Sequence, residues 1–440
     1  MSKRCHDGPP VTESAAPSPP RPSQRSLRRL DWFVFLVADV QTGFGPFIAV
    51  YLTTQKWTLV EIGLVMTVAG LVSLAGQMPG GALVDAARSE RTVAGVAVSL
   101  IALSALIYAT MPVFPAVLAA AILHAAASCV LGPCIAAISL GLVGHAAVGE
   151  RFGRNARFAS IGSGLSAAAM GACGYFFSAQ SVFFVTAALL VPTLLVLRGL
   201  APEEIDPERA HGNIPGQQGD PMQQDGPDGQ SGPPQKRRRL LADLWSLLRN
   251  RSLAVFGACI LLFHLANAAM LPLMGSVLTT RSSEWATVLI GACIVGPQIV
   301  VALFSPWVGR QAERLGRRPL LLAGFAALPI RGLLLAVVTD PYLLVAAQLL
   351  DGLTAAVLSV MVPLTVADLT RGTGRFNLVQ GAVGTMMGLG ASLSPTFAGY
   401  LSDTFGSPFA FLGLALTATL CLATAWLFMA ETRPSTAVER

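Results

Sequence analysis

Residues 92–142 read TVAGVAVSLIALSALIYATMPVFPAVLAAAILHAAASCVLGPCIAAISLGL. Between Arg91 and Glu150 the chain carries no Lys, Arg, Asp or Glu. A helix needs about 20 apolar residues to cross the hydrocarbon of a bilayer. The stretch is long enough for two crossings, at 92–112 and 114–142, which nearly touch. It therefore reads as a membrane hairpin with a tight turn.

The rest of the chain follows suit. Of its 440 residues, 53% are apolar and 12% charged, with a mean hydropathy of +0.61. A soluble domain carries about 25% charged residues, so most of this chain does not face water. Ten further stretches are long and apolar enough to cross. Spans 1 to 6 are predicted at 31–53, 57–85, 92–112, 114–142, 155–178 and 180–199. Spans 7 to 12 are predicted at 252–278, 285–309, 318–339, 342–369, 376–402 and 407–429. Residues 180–199 follow 155–178 as closely as 114–142 follows 92–112, which predicts a second tight hairpin.

The 30 basic residues test this count. With both termini cytoplasmic, every Lys and Arg except Lys56, Arg281 and Arg331 falls in a cytoplasmic segment. Positive charge resists translocation, so this asymmetry sets the orientation, and moving the count by one span would destroy it. The same placement accounts for the net charge of +6 without a nucleic-acid partner. Residues 1–29 are rich in Pro, Ser and Arg with no apolar core, and are expected to be a disordered cytoplasmic tail rather than a signal peptide. The seven cysteines form no CxxC pair and no zinc spacing, so they read as small apolar residues, with no metal and no cofactor implied.

The chain also repeats itself. Gln41 aligns with Asn267, Pro46 with Pro272, Thr53-Thr54 with Thr279-Thr280, and Ile62-Gly63 with Ile290-Gly291. Pro79 aligns with Pro306, Gly81 with Gly309 and Asp85 with Glu313. Further on, Gly153-Arg154 aligns with Gly374-Arg375 and Gly174-Tyr175 with Gly399-Tyr400. Two six-helix halves, 30–200 and 251–430, with a solute site between them are therefore expected, followed by a cytoplasmic tail at 431–440. Parallel repeats of this kind are a transporter architecture. The linker at 201–250 divides into a disordered stretch, 202–235, and a basic apolar segment. There Lys236-Arg237-Arg238-Arg239 leads into leucines at helical spacing, which suits a helix lying on the inner leaflet.

The segments after spans 2 and 8 carry a family signature. The second copy reads Gly309-Arg310-Gln311-Ala312-Glu313-Arg314-Leu315-Gly316-Arg317-Arg318. The first keeps Gly81 and Asp85, with Arg88 and Arg91 as scattered basic residues. This pattern resembles the G-x-x-x-D-R-x-G-R-R element of the major facilitator superfamily, and the resemblance spans residues 30–430. It implies an all-α membrane fold of twelve helices in two pseudo-symmetric halves, alternating access, and a gating role for Asp85. It also implies that spans 1, 2, 4, 5, 7, 8, 10 and 11 line the pore. Two departures concern the superfamily's antiporters. Span 5 lacks their proline, and span 4 has His124 near the level of the arginine of drug-efflux members.

Ionisable groups at membrane depth are costly and so point to function. Asp39 in span 1 is the expected proton-coupling residue. Arg331 and Asp351 flank the turn between spans 9 and 10 at similar distances, so a rise of about 1.5 Å per residue lets them meet as a buried ion pair. Gln41, Gln77, His124, His264, Asn267, Gln298, Gln348, Asn377 and Gln380 are candidate cavity residues. The expected function is secondary transport of a small organic solute in the cytoplasmic membrane by a monomer, with a proton as the coupling ion and efflux as the direction. Uptake of a sugar or metabolite, or a non-transporting membrane sensor, are the alternatives. No nucleophile–base pair or phosphate loop suggests an enzyme.

Overall fold

A computed structural model describes residues 22–42, 48, 51, 52, 54–178, 180–213, 250–281 and 286–433. All regular structure among them is helical. Span 1 is Gln24–Thr42, span 2 Leu59–Asp85 and span 3 Glu90–Thr110. Spans 4 and 5 share Phe114–Phe176, and span 6 is Ser181–Ala188 plus Leu190–Arg198. Span 7 is Arg251–Asn267 plus Met270–Arg281. Spans 8 to 12 are Ala286–Leu315, Arg317–Val337, Pro341–Leu369, Phe376–Phe405 and Ser407–Phe428. Nine helices among the described residues are long and apolar enough to cross a bilayer, and one of them, Phe114–Gly174, contains two spans. Span 1 and the Gly- and Ser-rich span 11 complete the twelve.

The helix starts are written locally. Thr58 and Glu61 form a reciprocal capping box before span 2. Ser89, Asn250 and Asp340 cap spans 3, 7 and 10 with side-chain oxygens, and Pro341 occupies the first turn of span 10. Helical structure runs on through 143–154, where the sequence predicts a loop. The break between spans 4 and 5 is confined to Gly144, at φ +68° and ψ 177°. A glycine tolerates that conformation where other residues do not.

Each half has its own apolar core. One is built from spans 1 to 6 around Phe33, Tyr51, Tyr108 and Phe183. The other is built from spans 7 to 12 around Phe256, Phe325, Phe376 and Phe411, and it also takes in Val148, Phe152 and Ala156 of span 5. The halves meet along two seams, span 2 against span 11 and span 8 against span 5. Repeat-related helices exchange roles between these seams, as a two-fold pseudo-axis requires. The arginine-rich loops gather at one end of the bundle and make it the basic face.

Residues 202–213, expected to be disordered, are ordered. Pro202–Glu204 forms a 3-10 turn and Pro207–Ala210 a single helical turn capped by Asp206. Ile205 and Ala210 bury their side chains in the first-half core, which supplies the apolar contact that a solvated linker lacks. The basic segment at 236–248 and the tail at 1–21 lie outside the described residues.

Candidate functional site

The two seams close most tightly at the basic face, and glycine makes this possible. A Cβ on Gly81 would overlap the carbonyl oxygen of Asn377, and one on Gly381 would overlap that of Gln77. On the other seam, a Cβ on Gly309 would overlap Gly149 O, and one on Gly153 would lie 2.5 Å from Ser305 O. Backbone therefore lies against backbone across the halves. Toward the opposite face, a Cβ on Gly63, Gly70 or Gly291 would meet nothing within 4 Å.

These contacts share one register. Gly81, Gln77, Gly149 and Gly153 correspond in turn to Gly309, Ser305, Asn377 and Gly381. The alignment of Gly153 with Gly374 is therefore corrected to Gly381. The Gly-Arg pair at 374–375 lies in the turn before span 11, whereas Gly153-Arg154 lies inside span 5.

Asp85 ends span 2 and faces the start of span 11. Its Oδ1 accepts from Asn377 Nδ2 at 2.8 Å and Asn377 N at 3.2 Å, and its Oδ2 accepts from Leu378 N at 2.7 Å. The first N–H groups of a helix have no partner within it, and a carboxylate there also suits the helix dipole. Asn377, expected in the cavity, is fully buried in this junction instead. An amide at a helix start serves as a donor to an acid as readily as it lines a pore.

Glu313, the second-half counterpart, turns inward. It faces Arg317 at 3.2 Å, and Arg317 Nε donates to Asp368 Oδ2 at 2.8 Å. Arg317 N and Arg318 N donate to Glu431 at 2.8 and 3.0 Å, and Arg318 also donates to Trp426 O. Gly316, at φ +90°, forms the turn between spans 8 and 9. Arg88 and Arg314 are exposed. Arg91 donates to Leu197 O and Arg198 O, so it caps the end of span 6 and is not part of the Asp85 junction.

One network here is not evident from the sequence. Asp31 at the start of span 1 is ion-paired to Arg151 at 2.5 Å and to Arg154 at 2.6 Å, both from span 5. Arg151 also donates to Asn155, whose amide donates to Ser139 of span 4 at 2.7 Å. Beside the basic tail, Asp31 reads as one more surface charge, yet it is 2% exposed.

At mid-depth in the second half, Arg331 reaches from span 9 to spans 7 and 10. It pairs with Asp351 and donates to Asn267 Oδ1 at 2.6 Å, with Met270 Sδ also in reach. Arg331 is 1% exposed and the Asp351 side chain 24%. The cation is sheathed while its acid stays partly open. Gln348, one turn before Asp351, is fully buried, and neither of its amide atoms has a partner among the described residues. His264 packs edge-on to Phe263 on the same face of span 7 as Asn267. His124 Nε2 lies 3.4 Å from Ser128 Oγ. Gln77 lies against Gly384 of span 11, and Gln298 and Gln380 are half-buried. The side chains of Asp39 and Gln41 lie outside the described residues. Among those described, no group of His, Cys, Asp and Glu is placed to hold a metal ion.

Residues 27–422 match the MFS_1 like family. The uncharacterized MFS-type transporter Rv2456c of Mycobacterium tuberculosis is 37% identical over 398 residues, 90% of each chain. A chloramphenicol resistance protein of Pseudomonas aeruginosa is 32% identical over 127 residues, 28% of this chain and 30% of that one. The crystal structure of human MFSD10, described as an organic anion transporter, superposes with a TM-score of 0.71 at 17% identity. The match covers 91% of this chain and 99% of that one, and it shows the fold.

Proposed function

The chain belongs to the MFS_1 like family of the major facilitator superfamily, and on that premise we propose that it exports a small organic solute in exchange for protons. It is a multi-pass membrane transporter of small molecules and not an enzyme. In the proposed cycle the basic face is cytoplasmic, and a single copy of the chain rocks its halves about the two seams to expose a central site to each side in turn. The observation that carries this reading is the paired, register-matched closure of both seams at the basic face. Closure of both seams at the basic face fits the outward-facing member of such a cycle.

Proton coupling rests on acids at membrane depth. Asp39 on span 1 is the proposed coupling residue, and Asp351, paired with Arg331 within the second half, is the second candidate carboxylate. An acid at membrane depth is costly to keep there, which is what points to a functional role. Gln77, Gln298, Gln380, His124 and His264 are proposed to complete the solute site. Export is favoured by the partial likeness to a chloramphenicol resistance protein.

The test is transport in proteoliposomes with an imposed pH gradient. Chloramphenicol is the first probe, followed by a panel of organic compounds. Uphill solute movement that collapses with the gradient, and that is lost in Asp39→Asn, supports the reading. Solute flux indifferent to the gradient in the wild type and in Asp39→Asn overturns proton coupling.

A further inference from the structure

The chain that leaves span 6 does not go straight into solvent. Residues 201–213 form a strap across the basic face. Asp206 N donates to Gly141 O at 3.2 Å, and the side chains of Ile205 and Ala210 are buried in the first-half core. The strap is thus anchored to the first half. Its last residues then turn their carbonyls to the other half. Gly212 O accepts from Gly372 N at 2.7 Å, His211 O from Phe376 N at 3.4 Å, and Ala210 O from Asn377 Nδ2 at 3.4 Å. The strap therefore satisfies backbone donors at the head of span 11, beside those that Asp85 takes.

One side chain pins this strap to span 3. His211 Nε2 faces Glu90 Oε1 at 3.2 Å, with His211 20% and Glu90 6% exposed. Their neighbours carry both signs. Asp85 contributes a second negative charge toward His211. Arg209 on the strap is paired with Asp206 at 3.2 Å. His145 at the head of span 5 lies within the influence of Arg209 and Arg371, and Arg375 precedes the Phe376 amide bound to the strap.

We propose that His211 makes closure of the basic face proton-dependent: when charged it clamps the strap to Glu90 and presents the strap carbonyls to span 11, and when neutral it releases them. The Glu90 carboxylate facing Nε2 raises the His211 pKa above that of a free imidazole. Burial opposes this, and the charges of Glu90 and Asp85 reinforce it. For a raised histidine, the stabilisation is fully present below the ordinary imidazole value of about 6.5 and is lost as pH rises through the raised value. Acidification on the basic side thus holds the closed state, and alkalinisation favours opening.

The experiment is hydrogen exchange of the full chain in lipid nanodiscs, read in peptides covering 204–213 and 372–380, without added solute. Rates are corrected for the intrinsic pH dependence of exchange. Protection of both regions should fall together by about threefold or more between pH 6 and pH 8.5, the scale of a partly exposed ion pair. H211Q and E90Q should lose this pH dependence, and H211R should stay protected throughout. Protection in the wild type that does not change with pH, or a slope that persists in H211Q, overturns the proposal.

Discussion

Asp85 and Glu313 occupy equivalent places in the two halves and do different things. Asp85 binds across the halves, to two backbone N–H groups and one amide of span 11. Glu313 pairs within its own half, with Arg317, and only packs against Gly149 across the seam. The difference originates in the partner helices. Span 11 begins at Phe376, so the amides of Asn377 and Leu378 are free to donate. On the other seam Gly149 and Glu150 take their place, but span 5 already starts just after Gly144. Its first free amides come earlier in the chain, and those beside Glu313 are close to or inside the helical bonding pattern. A repeated acid therefore hydrogen-bonds across the seam only where the opposite helix begins at the right residue. The better-preserved copy of the motif, with its full set of arginines, serves as an internal brace. The eroded copy, which needs no arginine, joins the halves.

The largest effect that tests this contrast lies in the brace. Arg317→Ala leaves Asp368 and Glu313 without their buried cation and should cost about 3–5 kcal/mol of stability. Thermal unfolding in detergent should show a large drop in midpoint, and an unchanged midpoint would remove the brace. Gly81→Val and Gly309→Val come next. Each forces a side chain into a backbone carbonyl of the other half, at about 3 kcal/mol against closure. Because the glycines are equivalent where the acids are not, the two variants should be alike. Labelling of cysteines introduced at the basic face should rise in both, and a response in only one would break the symmetry of the seams.

Asp85→Ala removes three bonds to a charged acceptor and should shift the closed–open balance by about 2–3 kcal/mol. Asn377→Ala keeps the backbone donor to Asp85 and should cost about 1 kcal/mol. Glu313→Gln should leave the closed–open balance within about 0.5 kcal/mol of wild type, because the Glu313 side chain is 38% exposed and its ion pair lies within the second half. The same accessibility assay ranks all three.

Much of this molecule is legible in its sequence. Apolar length and basic asymmetry point to the twelve spans, because lipid leaves the backbone few alternatives to helix. The meeting of Arg331 and Asp351 follows from helical rise alone. The strap at 202–213 is not legible. Its prolines and acids have a linker's composition, and only Ile205 and Ala210 hint that part of it is buried. The equivalence of Gly153 with Gly381 is hidden by the second Gly-Arg pair at 374–375, which attracts the alignment. Asn377 reads as a pore amide because sequence spacing does not show where span 11 begins to within one residue, and that residue decides which amides are free.

The most direct test is a spin-label distance across the basic face, between labels placed at the exposed positions 88 and 371 of the full chain in nanodiscs. With Asp85→Ala the distribution should move from a short closed distance toward a longer open one, while Glu313→Ala should retain the wild-type distribution. Equal opening in both variants, or opening in Glu313→Ala alone, would contradict the assignment of the lock to the first-half acid.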